Sequence, residues 1–319
     1  MEQPVLGIFR EKRDIEEFDF KAPHYKQAYH EIIDQLNEKG VYVALLMGQG
    51  TYDGNATFSK HWVQINDNGV YHFEKRGPIV VDAVFDKDHF KDDAQVLKIN
   101  DDRLYNICWS KERTYEVLGE FHPKSLLVHD ENELEHALAE LSGEKVAIKT
   151  LTGSSGTGVF VGSKRDAHGE QDILEYPLLV QEFIETSGGV PGITTKRHDV
   201  RVVIMNGTSV IATLRTPPDG ELKSNIGYGG EHRLLSVEDL PSELLSMCAA
   251  IDNKLKSYGK FRLYSVDCGL TPNGWRLFEA NGMPGIINRD RGEQAWAYQD
   301  ALTDFLKQAA IEGGKTRKG

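Results

Sequence analysis

Cysteine and long apolar runs are both scarce in this chain of 319 residues. Its three cysteines, Cys108, Cys248 and Cys268, form no CxxC pair and no zinc-finger spacing. This pattern argues against a disulfide scaffold and favours a reducing compartment. The longest strongly apolar stretch, residues 41–47, is far shorter than the roughly 18 residues of a membrane helix. Residues 1–14 mix charges without the apolar centre of a signal peptide. We therefore expect a cytoplasmic protein without membrane segments.

A basic excess is also lacking, because 37 Lys and Arg face 49 Asp and Glu and give a formal charge of −12. Phosphate backbones and anionic membranes require a basic surface, so general nucleic-acid binding and membrane binding are not expected. The 11 histidines form no HExxH or HxxxH pattern, and no GxSxG motif occurs. The sequence therefore gives no signal for a zinc enzyme or a serine hydrolase.

Hydrophobic periodicity divides the chain into three structured parts and a tail. Residues 1–105 alternate short apolar strands with a helix, which predicts a small α/β domain. Residues 106–185 mix helices with four strands, and residues 186–312 combine β-hairpins with helices in an α+β arrangement. The Lys- and Gly-rich residues 313–319 predict a disordered tail. The predicted helices cover residues 24–39, 111–118, 132–141, 238–258 and 294–309.

A predicted strand that ends in a lysine runs directly into a glycine-rich loop. The strand closes with Val146-Ala147-Ile148-Lys149, and Gly153-Ser154-Ser155-Gly156-Thr157-Gly158 follows. Such a loop presents backbone N–H groups at low steric cost, and the lysine adds a fixed positive charge, so together they can hold a polyphosphate. The loop lacks the GK[ST] ending of a P-loop and precedes a strand instead of a helix. A flexible hairpin loop beside a surface lysine is the alternative interpretation.

Three oxygen-bearing side chains fall on two predicted strands that a short turn joins. Glu279 and Asn281 are two residues apart on one strand, and Asp267 lies on the other. A turn centred on Asn273 and the following glycine predicts that Asp267 faces Ala280, between the other two side chains, within about one residue of register. Carboxylate and amide oxygens are the ligands that Mg²⁺ accepts next to phosphates. A solvent-exposed hairpin with ordinary charges is the alternative interpretation.

Two further patterns lie between the glycine loop and the carboxylates. Arg201 and Arg215 lie on paired strands, and Asn225 lies in the loop that follows. Cations directed into one cavity would stabilise the negative charge that develops on a transferring phosphoryl group. For either arginine alone, a salt bridge on the surface of the sheet is the alternative interpretation. Residues 178–185 form an apolar strand that turns polar at its end. Such a strand can offer backbone groups to an adenine edge, although any edge strand can show this pattern.

In this order, the motifs resemble the ATP-grasp superfamily, in its glutathione synthetase and RimK-like branch. The resemblance covers about residues 105–310, and residues 1–105 resemble the pre-ATP-grasp domain in their α/β pattern. One position departs from the pattern, because Met283 precedes Pro284-Gly285 where many relatives have a hydroxyl residue. The residues that carry the resemblance are Ser110 to Tyr115, Val146 to Lys149 with the glycine loop, Gln181 to Ile184, Asp199 to Arg201, Arg215, Asn225, Gly229-Gly230, Asp267 and Glu279 to Gly285.

The resemblance implies an ATP-grasp fold with three kinds of site residue. The residues implied to bind ATP are Lys111, Lys149, Gly153, Ser154, Ser155, Gly156, Gln181, Glu182, Phe183 and Ile184, with either Glu185 or Asp199 on the ribose. The residues implied to hold metal ions, two Mg²⁺ with Mn²⁺ as the alternative, are Asp267, Glu279 and Asn281. The residues implied to steady the transferring phosphoryl group are Arg201, Arg215 and Asn225.

The implied reaction joins a carboxylate to an amine. The carboxylate attacks the γ-phosphorus of ATP and gives an acyl phosphate and ADP, and the amine then displaces phosphate. The implied substrates are small molecules, an amino acid or a short peptide, and a homodimer is expected from the general frequency of dimers. Two alternatives remain, a non-catalytic ATP-binding regulatory protein on the same fold and a phosphotransferase that stops at a phosphorylated product.

Overall fold

The computed structural model describes residues 3–12, 14–15, 23–92, 96–153, 158–167, 175–218, 220–222 and 230–318. The chain forms two compact units. The first comprises Met1–Asp102, Gly259–Leu263 and Met283–Gly319, and the second comprises Arg103–Tyr258 and Tyr264–Gly282.

The helices in the described residues are α1 (Pro23–Glu38), α2 (Asp102–Trp109), α3 (Lys111–Leu118), α4 (Glu131–Glu140), α5 (Lys164–Ala167), α6 (Ser242–Leu255) and α7 (Glu293–Lys318). The strands are β1 (Val5–Arg10), β2 (Tyr42–Met47), β3 (Tyr52–Gly54), β4 (Thr57–Phe58), β5 (His61–Asp67), β6 (Val70–Arg76), β7 (Ile79–Val80), β8 (Ala83–Asp86), β9 (Leu97–Ile99), β10 (Ser125–Val128), β11 (Lys145–Thr150), β12 (Val159–Ser163), β13 (Leu178–Glu182), β14 (Asp199–Met205), β15 (Thr208–Thr216), β16 (Glu231–Leu235), β17 (Leu263–Thr271) and β18 (Gly274–Asn281). No helix among these described residues is both long and apolar enough to cross a membrane.

The first unit is built on a six-stranded sheet of order β6-β5-β2-β1-β8-β9. Strand β1 runs parallel to both of its neighbours, β2 and β8. The three strands are almost continuously apolar because both faces of the sheet are covered. Helices α1 and α7 pack against this sheet, and Phe9, Phe58 and Phe90 lie in a buried cluster that includes the short strand β4.

The second unit contains two antiparallel sheets, of order β10-β13-β11-β12 and β16-β15-β14-β17-β18. Side chains alternate between the faces of a strand, and this alternation decides what the five-stranded sheet presents. Val200, Leu214 and Val266 belong to the core shared with α6. Their odd-numbered neighbours on β14, β15 and β17 therefore project from the opposite face, which carries the candidate site.

Two sequence predictions about where helices begin or end are wrong. The helix predicted over 238–258 is α6, Ser242–Leu255, flanked by separate 3₁₀ turns. Pro241 disfavours helical geometry in the residue before it and so delays the helix start. The predicted disordered tail is also wrong for residues 313–318, because α7 continues to Lys318. Gly313 lies against the carbonyl of Asp82, and Arg317 pairs with the Asp82 carboxylate at 2.7 Å.

The unit boundaries differ from the three contiguous domains that periodicity suggests. Residues 283–319 group with the first unit, whereas the sequence prediction placed residues up to 312 with the C-terminal part. The first unit otherwise ends at Asp102, close to the predicted boundary at 105. The further division at residue 185 stays a prediction.

Candidate functional site

The hairpin of β17 and β18 brings Asp267 and Glu279 side by side as a cross-strand pair. The observed partner is one residue away from the predicted Ala280, which pairs with Val266, and so lies within the predicted tolerance of one residue. The two-residue turn lies one residue earlier than predicted, since Thr271 pairs directly with Gly274 at a φ of +94°. This moves the pairing by two residues, and a bulge between the turn and Asp267 restores one of them. Glycine tolerates this positive φ, so the chain reverses one residue earlier than predicted.

A β-bulge at Phe278 sets the orientation of the Glu279 side chain. Cys268 pairs with Leu277 and Asp267 pairs with Glu279, so Phe278 is the extra residue. Trp275, Leu277 and Ala280 all face the apolar core, which strict alternation does not allow. Without the extra residue, Glu279 would share the core face with Leu277. The bulge therefore turns both Glu279 and Asn281 to the opposite face.

Asp267 lies at the centre of a buried charge cluster on this face. Arg201 donates from Nε to Asp267 Oδ1 at 2.7 Å and from Nη2 to Oδ2 at 2.8 Å. Arg215 reaches the same carboxylate at 2.6 Å and also donates to Asp199 at 2.6 Å. Although burial favours a higher pKa, the two arginines hold the pKa of Asp267 well below its usual range. Asp267 is therefore a permanent anion.

The surroundings of Glu279 shift its pKa upward, in the opposite direction to that of Asp267. Burial and the Asp267 carboxylate raise its pKa, against the opposing charges of Lys149, Arg201 and Lys111. The Arg201 guanidinium lies 3.9 Å from its carboxylate. Among the described residues, no group of three or more His, Cys, Asp and Glu side chains is arranged to hold a metal ion. The donors on the hairpin face are two carboxylates and the Asn281 amide. They fit a divalent cation that arrives with further oxygen ligands, because Mg²⁺ binds few protein groups beside phosphates.

Lys149 approaches the same hairpin from β11 of the four-stranded sheet. Its Nζ donates to Gln181 Oε1 at 2.8 Å and to the Phe278 carbonyl at 3.2 Å. Gln181 is fixed in turn, since its Nε2 donates to Ser125 Oγ at 2.8 Å. Burial lowers the pKa of Lys149 to about 8, and Lys111 acts in the same direction. The ammonium is thus held in place but is poorly solvated, and an incoming anion would stabilise it.

Lys111 stands at the start of α3, which Ser110 caps by accepting a hydrogen bond from the Arg113 N–H. The backbone N–H of Lys111 donates to the Leu151 carbonyl at 2.9 Å, and its Nζ donates to the Gly153 carbonyl at 3.3 Å. The helix start and the base of the glycine loop are therefore joined, and Lys111 lies close enough to lower the pKa of Lys149. Ser154, Ser155, Gly156 and Asn225, also predicted site residues, lie outside the described residues.

The predicted hinge follows the end of β13. Glu182 directs its carboxylate away, because it accepts from the Ser142 N–H at 3.0 Å. Arg197 lies 5.4 Å from the centre of the Phe183 ring and pairs with Glu185 at 2.9 Å. The two ribose candidates differ in accessibility, since the side chain of Glu185 is 46% exposed and that of Asp199 only 10%.

A cavity of about 350 Å³ opens beside this hinge. It is lined by residues 182–185, by the turn of the β17–β18 hairpin and by His122. His122 is 7% exposed, and neither ring nitrogen has a hydrogen-bond partner among the described residues. Sequence reasoning missed His122, Ser125 and Phe278. A single histidine before a proline has no periodicity that predicts burial, and a bulge has no signal in alternation alone.

A family model and a curated relative each match part of the chain. A family model described as the RimK-like ATP-grasp domain matches residues 116–285. A protein of Thioalkalivibrio sulfidiphilus named "Probable alpha-L-glutamate ligase" is 28% identical over 199 residues, which are 60% of this chain and 61% of that protein. The matched region thus spans about three fifths of that relative's length.

Solved structures resemble the whole chain at low sequence identity. D-alanyl-alanine synthetase A from Vibrio cholerae aligns with a TM-score of 0.63 and 12% identity, covering 98% of both chains. The ATP-grasp ligase PsnB, complexed with a precursor variant, Mg and ADP, aligns with a TM-score of 0.58 and 13% identity, covering 94% of this chain and 98% of that chain. At such identities the likeness concerns the fold.

Proposed function

Because the chain belongs to the RimK-like ATP-grasp domain family, we propose that it is an ATP-dependent ligase that joins a carboxylate to an amine. The predicted ATP-grasp fold is confirmed by the solved structures that align with nearly the whole chain. In the proposed reaction, the carboxylate attacks the γ-phosphorus, ADP leaves, and the acyl phosphate is captured by the amine with release of phosphate.

The observation that carries the proposal is the charge cluster on the hairpin face. Phosphoryl transfer between two anions needs fixed positive charge where negative charge develops. Arg201 and Arg215 both bind the Asp267 carboxylate at distances of 2.8 Å or less. Lys149 donates a hydrogen bond to the Phe278 carbonyl of the same hairpin. A protein that only binds a nucleotide has no need of this buried arginine pair. We assign Arg201 and Arg215, together with Asn225, to the transferring phosphoryl group.

The nucleotide would lie between the two sheets of the second unit. Lys111 and Lys149 are assigned to the phosphates, and the loop from Gly153 to Gly156 is assigned as their cover. The hinge from Gln181 to Ile184 is assigned to the adenine. Glu185 is favoured for the ribose, because Asp199 is nearly buried and already binds Arg215.

Asp267, Glu279 and Asn281 are assigned to hold divalent cations, two Mg²⁺ ions with Mn²⁺ as the alternative. The bound cations supply charge neutralisation for the triphosphate. Glu279 has a raised pKa because burial and Asp267 disfavour its charge, so a cation at this position would relieve the repulsion between the two carboxylates. One structural neighbour, PsnB, is described as complexed with Mg and ADP.

The substrates are assigned by class, as an amino acid or a short peptide. The relative from Thioalkalivibrio sulfidiphilus is named as a glutamate ligase, so glutamate is the first amine to supply. A panel of amino acids and short peptides should therefore release ADP and phosphate only when both a carboxylate and an amine are present. ADP formed at the full rate with one substrate alone, with no joined product when the second substrate is added, would instead support a phosphotransferase.

The substitution Glu279→Gln tests the proposed site. It removes one charge without changing shape, so we expect turnover to fall by at least a hundredfold while the melting temperature stays within a few degrees. Ser242→Ala on the exposed start of α6 is the control and should keep full turnover. Full activity in the Glu279 variant would remove the metal assignment, and binding of ATP without turnover on any substrate pair would favour a regulatory protein.

A further inference from the structure

His122 is a buried polar side chain without a structural partner. Its side chain lies at the hinge cavity and is 7% exposed. Neither Nδ1 nor Nε2 has a hydrogen-bond partner within the described part of the chain. Buried polar groups are nearly always hydrogen-bonded, so an imidazole with both nitrogens unpaired needs an explanation.

Among the described residues, the surroundings of the ring supply no hydrogen bond of normal geometry. The Tyr115 ring lies edge-on at 5.8 Å between centroids, which is an apolar contact. Burial lowers the pKa of His122 to about 3, and the Lys149 charge acts in the same direction. The backbone of Leu277 lies close enough to the ring to act in the opposite direction, but without the geometry of a hydrogen bond. The imidazole is therefore neutral at physiological pH, and it has one N–H donor and one bare nitrogen acceptor.

The position of the ring points to a ligand in the cavity. The other cavity walls include the hinge residues Glu182, Phe183 and Ile184, which the proposed function assigns to the base. A purine has several ring nitrogens that accept hydrogen bonds and an exocyclic group at carbon 6. A neutral imidazole can donate a hydrogen bond to a purine ring nitrogen or form one with the exocyclic group. Because the imidazole is uncharged, neither bond carries the desolvation cost of a buried charge.

We propose that His122 hydrogen-bonds the purine base of the bound nucleotide and thereby contributes to base selectivity. This inference rests on the proposed nucleotide site at the hinge. It assigns to His122 a contact with the base, separate from the phosphate contacts assigned to Lys111 and Lys149.

The test is equilibrium binding of Mg·ATP to the full chain by calorimetry, with no carboxylate or amine substrate. His122→Leu should weaken ATP binding about tenfold, the effect of one hydrogen bond. The same titration with 7-deaza-ATP and with purine riboside triphosphate identifies the bonded atom. We expect one of these analogues to bind the wild-type protein about tenfold more weakly than ATP, and to bind His122→Leu as ATP does.

Thermal melting without nucleotide separates a ligand contact from a structural role. Removing an unpaired buried polar group should leave the melting temperature of His122→Leu unchanged or raise it. His198→Leu is the matched control, because His198 is equally buried but its Nε2 accepts from the Leu270 N–H at 3.1 Å. The control should melt lower and keep the wild-type discrimination between ATP and its analogues.

Two results would overturn the inference. One is ATP affinity in His122→Leu within twofold of the wild type, and the other is an equal loss for ATP and both analogues. A wild-type protein that binds no ATP would overturn both this inference and the proposed function. A wild-type protein that binds ATP without ligase turnover, combined with the expected loss in His122→Leu, would support the inference and remove the proposed reaction alone.

Discussion

Lys149 is the residue whose charge state couples burial to the proposed phosphate binding. Its Nζ has two neutral oxygen partners, Gln181 Oε1 and the Phe278 carbonyl, and burial lowers its pKa to about 8. Above that pH the nucleotide-free protein loses the ammonium charge. A triphosphate needs that charge, so binding above pH 8 must take up a proton.

We therefore expect the Kd of Mg·ATP to be flat below pH 7.5 and to rise about tenfold per pH unit above pH 8. Lys149→Arg should flatten this rise, because a guanidinium stays protonated across the range. Calorimetric titrations between pH 6.5 and 9.5 measure both profiles. Parallel profiles in the two proteins would show that another group controls the dependence.

The lowered pKa of His122 predicts that the stability of the protein falls at acid pH. Burial lowers its folded-state pKa to about 3 from an ordinary value of 6.5, so between these values the unfolded chain binds a proton that the folded protein does not. Above pH 6.5 the ring is neutral in both states and does not reduce the free energy of unfolding. Below pH 6.5 the free energy of unfolding falls by about 1.4 kcal/mol per pH unit, because the unfolded chain gains a proton.

Urea unfolding at pH 7 and pH 5 measures this fall. The free energy of unfolding should fall by about 2 kcal/mol more in the wild type than in His122→Leu over this interval. His136→Leu is the control on the exposed face of α4, and it should retain the wild-type fall. An equal fall in the wild type and His122→Leu would contradict the buried, neutral assignment.

At the scale of elements, helix α3 and the hairpin of β17 and β18 show what a sequence pattern can and cannot predict. The predicted helix over 111–118 agrees with Lys111–Leu118, because its cap and its periodicity are both local. The hairpin register differs by one residue from the predicted one, although the same two strands pair. Register depends on how a bulge fits between facing side chains, and a single strand does not contain that information.

Gly269 provides the space in which the bulged Phe278 fits. A Cβ at this position would lie 2.8 Å from a Phe278 ring atom and 2.5 Å from Cγ2 of Thr186. Gly269→Ala should therefore destabilise the protein by about 1–3 kcal/mol through overpacking. It should also reduce ligase turnover, because movement of Phe278 shifts both the Lys149 acceptor and Glu279.

The comparison for this prediction is Gly188→Ala, where an added Cβ meets nothing within 4 Å. This control should stay within about 0.5 kcal/mol of the wild type. Urea unfolding and phosphate release measure the two effects of each variant. Wild-type stability in Gly269→Ala would show that the ring moves freely and that the bulge does not depend on this contact.

At the scale of the whole molecule, the sequence predicted the secondary structure of each part better than it predicted which segments of the chain form one compact unit. Residues 283–319, which include α7, group with the first unit, which contiguous periodicity cannot indicate. The prediction of a disordered tail failed for the same reason. Residues 313–318 are rich in glycine and charge, and their helical order depends on contacts with Asp82, which is distant in sequence.

The last turns of α7 allow a prediction in which the sign of the effect is informative. In a helix exposed to solvent, Gly→Ala stabilises by about 1 kcal/mol, because alanine has the higher helix propensity. At Gly313 an added Cβ would lie 1.9 Å from the backbone oxygen of Asp82, which cannot move aside cheaply. Gly313→Ala should therefore lower the free energy of unfolding by about 1–3 kcal/mol.

Gly314 is the matched neighbour, since its added Cβ would approach only the carboxylate of Asp82, at 3.1 Å. This carboxylate accepts from the Val5 N–H at 2.8 Å and from Arg317 at 2.7 Å, but it needs to give way by only a few tenths of an ångström. Helix propensity should therefore dominate, and Gly314→Ala should be neutral or stabilising. Urea unfolding of the two variants beside the wild type measures the difference. Equal stabilisation by both substitutions would mean that the end of α7 does not pack on Asp82 in solution, because only an unpacked helix end accepts a side chain at Gly313.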